Sequence, residues 1–284
     1  MVGAMVFAAG ATADTINVRP GKNAIQRAIA RADAGDRLRI HDGRYRGAVE
    51  LTKRLRLVGV GKRPVIDARC KSEIAIDVNA SGVVLDHLKV IGAADLFAVN
   101  FMDVRRGTAR DLVLAETCNG EDATLYGINV YDSQRIEVLR NRAFGGFRDA
   151  GIYVGDITDT SPGPLLVVGN EAYGNNRGII VEDSSGVDVR VRDNRFHDNT
   201  VSGVDHPSGI VVRRSDGILF RDNRLRDNGD YGFHIDAGSD GNVLLDNVAS
   251  GSGISDLFNQ GSGNCGSRNS FGSTSGNPLV VPCG

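Results

Sequence analysis

Apolar residues in this chain recur in short alternating runs, not in helical stripes. Three segments open alike: Gly178-Ile179-Ile180-Val181-Glu182-Asp183, Gly209-Ile210-Val211-Val212-Arg213-Arg214 and Gly232-Phe233-His234-Ile235-Asp236-Ala237. Aligned on a first small residue, the pattern extends to eight anchors: Ala48, Ala75, Ala98, Gly127, Gly151, Gly178, Gly209 and Gly232, spaced 23 to 31 residues apart. The first and third residues after every anchor are apolar, from Val49 and Leu51 to Phe233 and Ile235. Strand side chains alternate between faces, so these two columns point inward and the second and fourth columns point outward. A second apolar stretch follows in the later units, as in Val187, Val189 and Val191, and ends on an asparagine: Asn141, Asn170, Asn194, Asn223 or Asn247. Asparagines stacked at one turn can hydrogen-bond up the column and satisfy turn backbone.

Only one helix is expected. In residues 20–34 the apolar Ile25, Ala28, Ile29 and Ala32 fall on one face, with Asn23 as N-cap and Gly35 as stop. Placed before a run of strands, it would plug the open end of a stacked core. Units of roughly 20–30 residues with short strands, no internal helices and a polar turn ladder predict an all-β fold, a single-stranded parallel β-helix of about 8–10 rungs. Residues 14–284 would form one domain, closed at its far end by the Gly-, Ser- and Asn-rich residues 255–284.

Composition adds bounds. The chain has 284 residues, 41% of them hydrophobic, enough for a sizeable core. Net charge is −2 with Lys and Arg spread along the chain, which argues against a nucleic-acid protein, whose basic residues would cluster. Many glycines and few prolines suit tight turns between short strands. Residues 1–13 read as the remnant of a secretory signal, with Ala11-Thr12-Ala13 as a small-x-small cleavage site. No later stretch approaches the ~20 apolar residues of a membrane span. Four cysteines in a secreted or periplasmic protein would pair. Stacking of sequence neighbours favours Cys70 with Cys118 and Cys265 with Cys283, and the lack of a Cys-x-x-Cys pattern argues against zinc.

Candidate chemistry sits on the outward columns. Neighbouring rungs lie about 4.8 Å apart. Glu182, Arg213, His234 and Asp236 therefore meet on one patch, with Tyr131 and Tyr153 below and Arg214 beside. Such a set could bind a uronate through Arg213 and move a proton through His234. A carboxylate pair two rungs apart also suits inverting glycoside hydrolysis. The same residues could instead be a charge ladder that only stabilises stacking. Asp103, Asp132, Asp156 and Asp183 form a further column. Calcium at Asp156 and Asp183 would neutralise it, or each Asp caps turn backbone. The longest unit carries an insertion, residues 200–207, whose His206 would border the patch, and residues 156–164 would overhang the same face. His41, His87 and His197 fall elsewhere and read as structural or surface residues.

These repeats, with the opening helix and the Gly35-Asp36, Gly43-Arg44-Tyr45 and Leu57-Val58-Gly59 segments, resemble the right-handed parallel β-helix proteins of the pectin-lyase-like superfamily. The resemblance covers residues 20–271 and implies a right-handed coil. Polysaccharide lyases of similar fold often use calcium. Asp205-His206-Pro207 resembles the Asp-Pro-His motif of mannuronan C5-epimerases in a different order, so that role is not carried over. The expectation is an exported, monomeric, carbohydrate-active enzyme on a uronate-containing polysaccharide, a lyase or C5-epimerase. A glycoside hydrolase or a non-catalytic surface or glycan-binding protein are its alternatives.

Overall fold

The computed structural model describes residues 13–201, 206–281 and 283. Residues 1–12 of the expected signal remnant 1–13 and residues 202–205 of the insertion lie outside it. The chain coils as a right-handed parallel β-helix, and every paired strand runs parallel to its neighbour. One side is an eleven-stranded sheet from Thr15–Val18 to Cys265–Ser267. A representative rung contributes Arg177–Glu182, Val189–Arg192 and Arg195–His197, and the next contributes Ser208–Arg213, Leu219–Arg221 and Arg224–Arg226.

The register reproduces the inward columns. Ile152 pairs with Ile179, Ile179 with Ile210 and Ile210 with Phe233, while Val154, Val181, Val212 and Ile235 align beside them. All of these side chains are buried, and Phe101, Phe147, Phe196, Phe220 and Phe233 are among the largest side chains buried completely. The anchor glycines permit this closeness. A Cβ at Gly178 would lie 2.5 Å from the Gly209 carbonyl oxygen and 2.7 Å from the Phe196 ring. Gly178→Ala is therefore expected to destabilise the protein by about 1–3 kcal/mol, read as a lowered denaturation midpoint.

The asparagine ladder forms. Asn141, Asn170, Asn194, Asn223, Asn247 and Asn269 each offer a side-chain oxygen to the main-chain N–H one rung below, as in Asn170 N to Asn194 Oδ1 at 2.9 Å. The residue before each asparagine bends left-handed, for example Asp193 at φ 58° and Asp222 at φ 54°. Asn175, Asn199 and Asn228 form a second ladder at another turn.

Both ends differ from expectation in detail. The helix spans Ala24–Arg31 and buries Ile25, Ala28 and Ile29 against the core. Asn23 is left-handed at φ 49° and makes no side-chain cap, and the helix ends at Ala32 before Gly35 is reached. Lys53 closes its C-terminus instead, donating to the Ile29, Ala30 and Ala32 carbonyls. Opposite charge suits that helix end. At the far end the chain keeps coiling through Ser255–Asn259, Cys265–Ser267, Ser270–Phe271 and Thr274–Gly276. Disulfides join Cys70 to Cys118 and Cys265 to Cys283. Two such bonds fit an oxidising compartment.

Candidate functional site

The outward face of the strands Ala150–Gly155, Arg177–Glu182, Ser208–Arg213 and Tyr231–Ile235 carries the predicted patch. Its middle column is covered: Ile180 and Val211 are fully buried, and they pack with Ala150 and Tyr153 under Tyr126 and Tyr131. This small apolar cluster lies outside the coil and gives the polar groups above it a dry floor.

His234 continues that column. It is 5% exposed, set among Tyr231, His206 and Phe258, whose ring centroids lie 4.7, 5.1 and 5.3 Å from its own. His234 Nε2 lies 2.9 Å from Asp236 Oδ1. Burial pushes the Asp236 carboxyl up, but the hydrogen bond from His234 and the nearby His234, Arg213 and His206 charges outweigh it and hold it below the ordinary range. An ionised carboxylate only accepts, so Nε2 carries a proton, and in the neutral form of the ring the lone pair lies on Nδ1. Among the described residues that buried Nδ1 has no hydrogen-bond partner.

Because the folded Asp236 binds a proton less readily than the unfolded one, it adds stability above its unfolded pKa. That contribution is lost as pH falls through the folded value. Asp236→Asn should flatten the acid side of a stability-versus-pH curve below about pH 4.

The other charges pair differently from a simple ladder. Arg213 Nε lies 3.5 Å from Asp236 Oδ2. Glu182 takes its partners elsewhere: Tyr153 Oη donates to Oε2 at 3.0 Å and Arg214 Nη2 to Oε1 at 2.9 Å. Burial, then the Glu182 charge and hydrogen bond, raise the Tyr153 pKa, so the phenol stays protonated. Arg214 also grips Asp183 through both carboxylate oxygens, at 2.6 and 2.7 Å. Asp156 and Asp183 sit at left-handed turns, with φ 51° and 49°, and Asp156 faces the Tyr131 hydroxyl. Among the described residues no three His, Cys, Asp or Glu side chains gather to hold a metal ion.

His206 reaches the patch as expected, its Nδ1 2.9 Å from Asp230 Oδ2, whereas Asp205 lies outside the described residues. Residues 156–164 do not overhang it. This segment links Ala150–Gly155 to Leu165–Val168 in the eleven-stranded sheet and folds back over that second face. There Asp159 accepts from Gln134, and Pro162 and Pro164 border Thr108 and Glu137. The alternating pattern did not single out the column just before the anchors, where Tyr126, Ala150, Arg177, Ser208 and Tyr231 align in register. Tyr126 stacks on Tyr153 with centroids 4.5 Å apart and donates to Asp149, which also pairs with the buried Arg177. The same alignment exposes that column once the residue before the glycine is read.

A fold and face of this kind define a parallel β-helix protein with a polar patch along one sheet. A family profile described as "Periplasmic copper-binding protein (NosD)" matches residues 105–277, and the chain belongs to that family. An alginate lyase from Paenibacillus sp. superposes with TM-score 0.64 at 15% identity, covering 94% of this chain and 99% of the other. Pectate lyase Pel9A gives 0.56 at 12% over 94% and 79% of the two chains. The periplasmic alginate epimerase AlgG gives 0.57 at 13% over 86% and 75%. No curated protein sequence matches closely.

The described residues do not fit a copper centre. All four cysteines are in disulfides, and His206 and His234 each commit one ring nitrogen to a carboxylate with no third donor gathered beside them.

Proposed function

We propose that this protein is an exported enzyme acting on a uronate-containing polysaccharide by proton abstraction at the carbon bearing the carboxylate, as in a lyase or C5-epimerase. The observation that carries this reading is His234, whose Nε2 is held by Asp236 while the unpartnered Nδ1 sits in a dry aromatic setting. In this mechanism Arg213 binds the uronate carboxylate and stabilises the charge that develops as the proton leaves. Nδ1, buried in this structure, takes the proton once a shift of the rings packed around it uncovers it, and Asp236 holds the imidazole in that tautomer. Tyr153, kept protonated beside Glu182, returns a proton to the leaving oxygen or to the opposite face of the sugar.

The likeness to two lyases and an epimerase supports the fold on which such chemistry would sit. Inverting hydrolysis fits less well, because it needs a protonated carboxylic acid. Asp236 is held ionised, and Glu182 is shared by Arg214 and Tyr153. The test is a screen on alginate, pectate and hyaluronan, with and without calcium. It reads new unsaturated ends, reducing ends and epimer content. Unsaturated ends or changed epimer content are expected. Reducing ends without unsaturation would establish hydrolysis instead, and a folded protein inert on every polymer would sink the enzyme reading.

A further inference from the structure

The overall charge of −2 hides a strong asymmetry. Residues 1–71 hold fifteen Lys and Arg against six Asp and Glu, whereas residues 72–284 hold eighteen against twenty-nine. The even spread of cations expected from the sequence is therefore not what the fold builds. At the helix-capped end a cleft of about 640 Å³ is lined by Lys22, Arg44, Arg46, Arg69 and Lys71, with no carboxylate in its wall. All five are exposed. Arg44 pairs with Asp67 at 3.3 Å. Among the described residues the other four side chains have no acidic partner.

The local backbone is built to present them. The long strand Val65–Val78 breaks register between Asp67 and Ser72, and Arg69 and Cys70 turn left-handed at φ 67° and 51°. Such a bulge re-aims side chains. Asp67 Oδ1 accepts the Arg69 N–H at 2.9 Å, and the disulfide to Cys118 fixes Cys70 between Arg69 and Lys71. An adjoining cleft contains Glu50, Glu73 and Asp77, which would turn a polyanion back toward the basic side.

We infer that this basic cleft is a second binding site, separate from the His234 face, for a stretch of acidic polysaccharide. Its size is that of a site for a ligand larger than one sugar. Guanidinium forks suit carboxylates and can grip them bidentately. A nucleic acid is disfavoured, since no aromatic side chain lines the cleft for base stacking. The nearby Tyr45 is buried with its hydroxyl bound to the Val18 and His41 carbonyls. The ligand's identity rests on the uronan reading, but the site itself does not.

The experiment measures binding of alginate and polygalacturonate oligomers, tripolyphosphate and single-stranded DNA by calorimetry, at low and high salt. It compares the wild-type protein with the triple variant Arg46→Ala, Arg69→Ala, Lys71→Ala, with circular dichroism confirming the fold. The expected result is a loss of about tenfold or more in uronan affinity at low salt, with turnover at saturating substrate unchanged. Uronan binding with the same number of sites and the same affinities in the triple variant would overturn the proposal, as would tighter binding of tripolyphosphate or DNA. Cleft-dependent binding by a protein that turns over no uronan would uphold this site while sinking the catalytic reading. As a second variant, Arg46→Glu alone should weaken uronan binding beyond Arg46→Ala.

Discussion

Replacing His234 by alanine or glutamine is expected to lower turnover of a uronan about a hundred- to ten-thousandfold, the range for losing a general base. The glutamine variant matters because His234 is packed among Tyr231, His206 and Phe258, and alanine would leave a void there. Glutamine keeps much of the volume but offers no basic nitrogen. If both variants stay folded and lose activity while still binding oligomers, the proton-transfer role stands. Activity within about tenfold of wild type in His234→Gln would remove His234 from the chemistry. Arg213→Ala removes binding and transition-state stabilisation together. It should raise KM and lower kcat, since the carboxylate it holds is charged in the ground state and gains further charge as the proton leaves.

The largest expected effect on stability lies in the middle of the asparagine ladder. Asn194 Oδ1 accepts from Asn170 N at 2.9 Å and Asn170 Nδ2 at 3.0 Å, while its Nδ2 donates to Val167 O and Asn223 Oδ1, each at 3.0 Å. All of this is buried, so Asn194→Ala strands polar groups on two neighbouring rungs. A loss of about 3–5 kcal/mol is expected by chemical denaturation. Asn269→Ala, at the ladder's end and only partly buried, should cost less than half as much. Equal losses at both positions would mean that the ladder's interior position carries no special weight.

The inward columns and the asparagine turns were legible because both are periodic, and a strand that slipped by one residue would turn Ile179 and Val181 to solvent. The polar patch was legible only as a set of neighbours. Its pairing was not, because Arg213 and Arg214 are adjacent in sequence but leave opposite sides of a turn: Arg213 faces Asp236, and Arg214 folds back to Asp183 and Glu182. The column of Tyr126, Arg177 and Tyr231 was hidden because the anchor glycine interrupts strict alternation. The direction of residues 156–164 depended on which sheet the following strand joins, a long-range fact that local pattern does not hold. Expected disulfide neighbours were recovered, since stacking brings nearby rungs together whatever the loop details.

The ladder has an evolutionary consequence. Each asparagine presents to the rung below the same oxygen that it seeks from the rung above, so the joint between two rungs is self-complementary. A duplicated or deleted stretch of one full turn would meet matching chemistry on both sides. Length could therefore change in whole turns without a new interface being invented, while outward residues on the copied turn drifted toward different ligands.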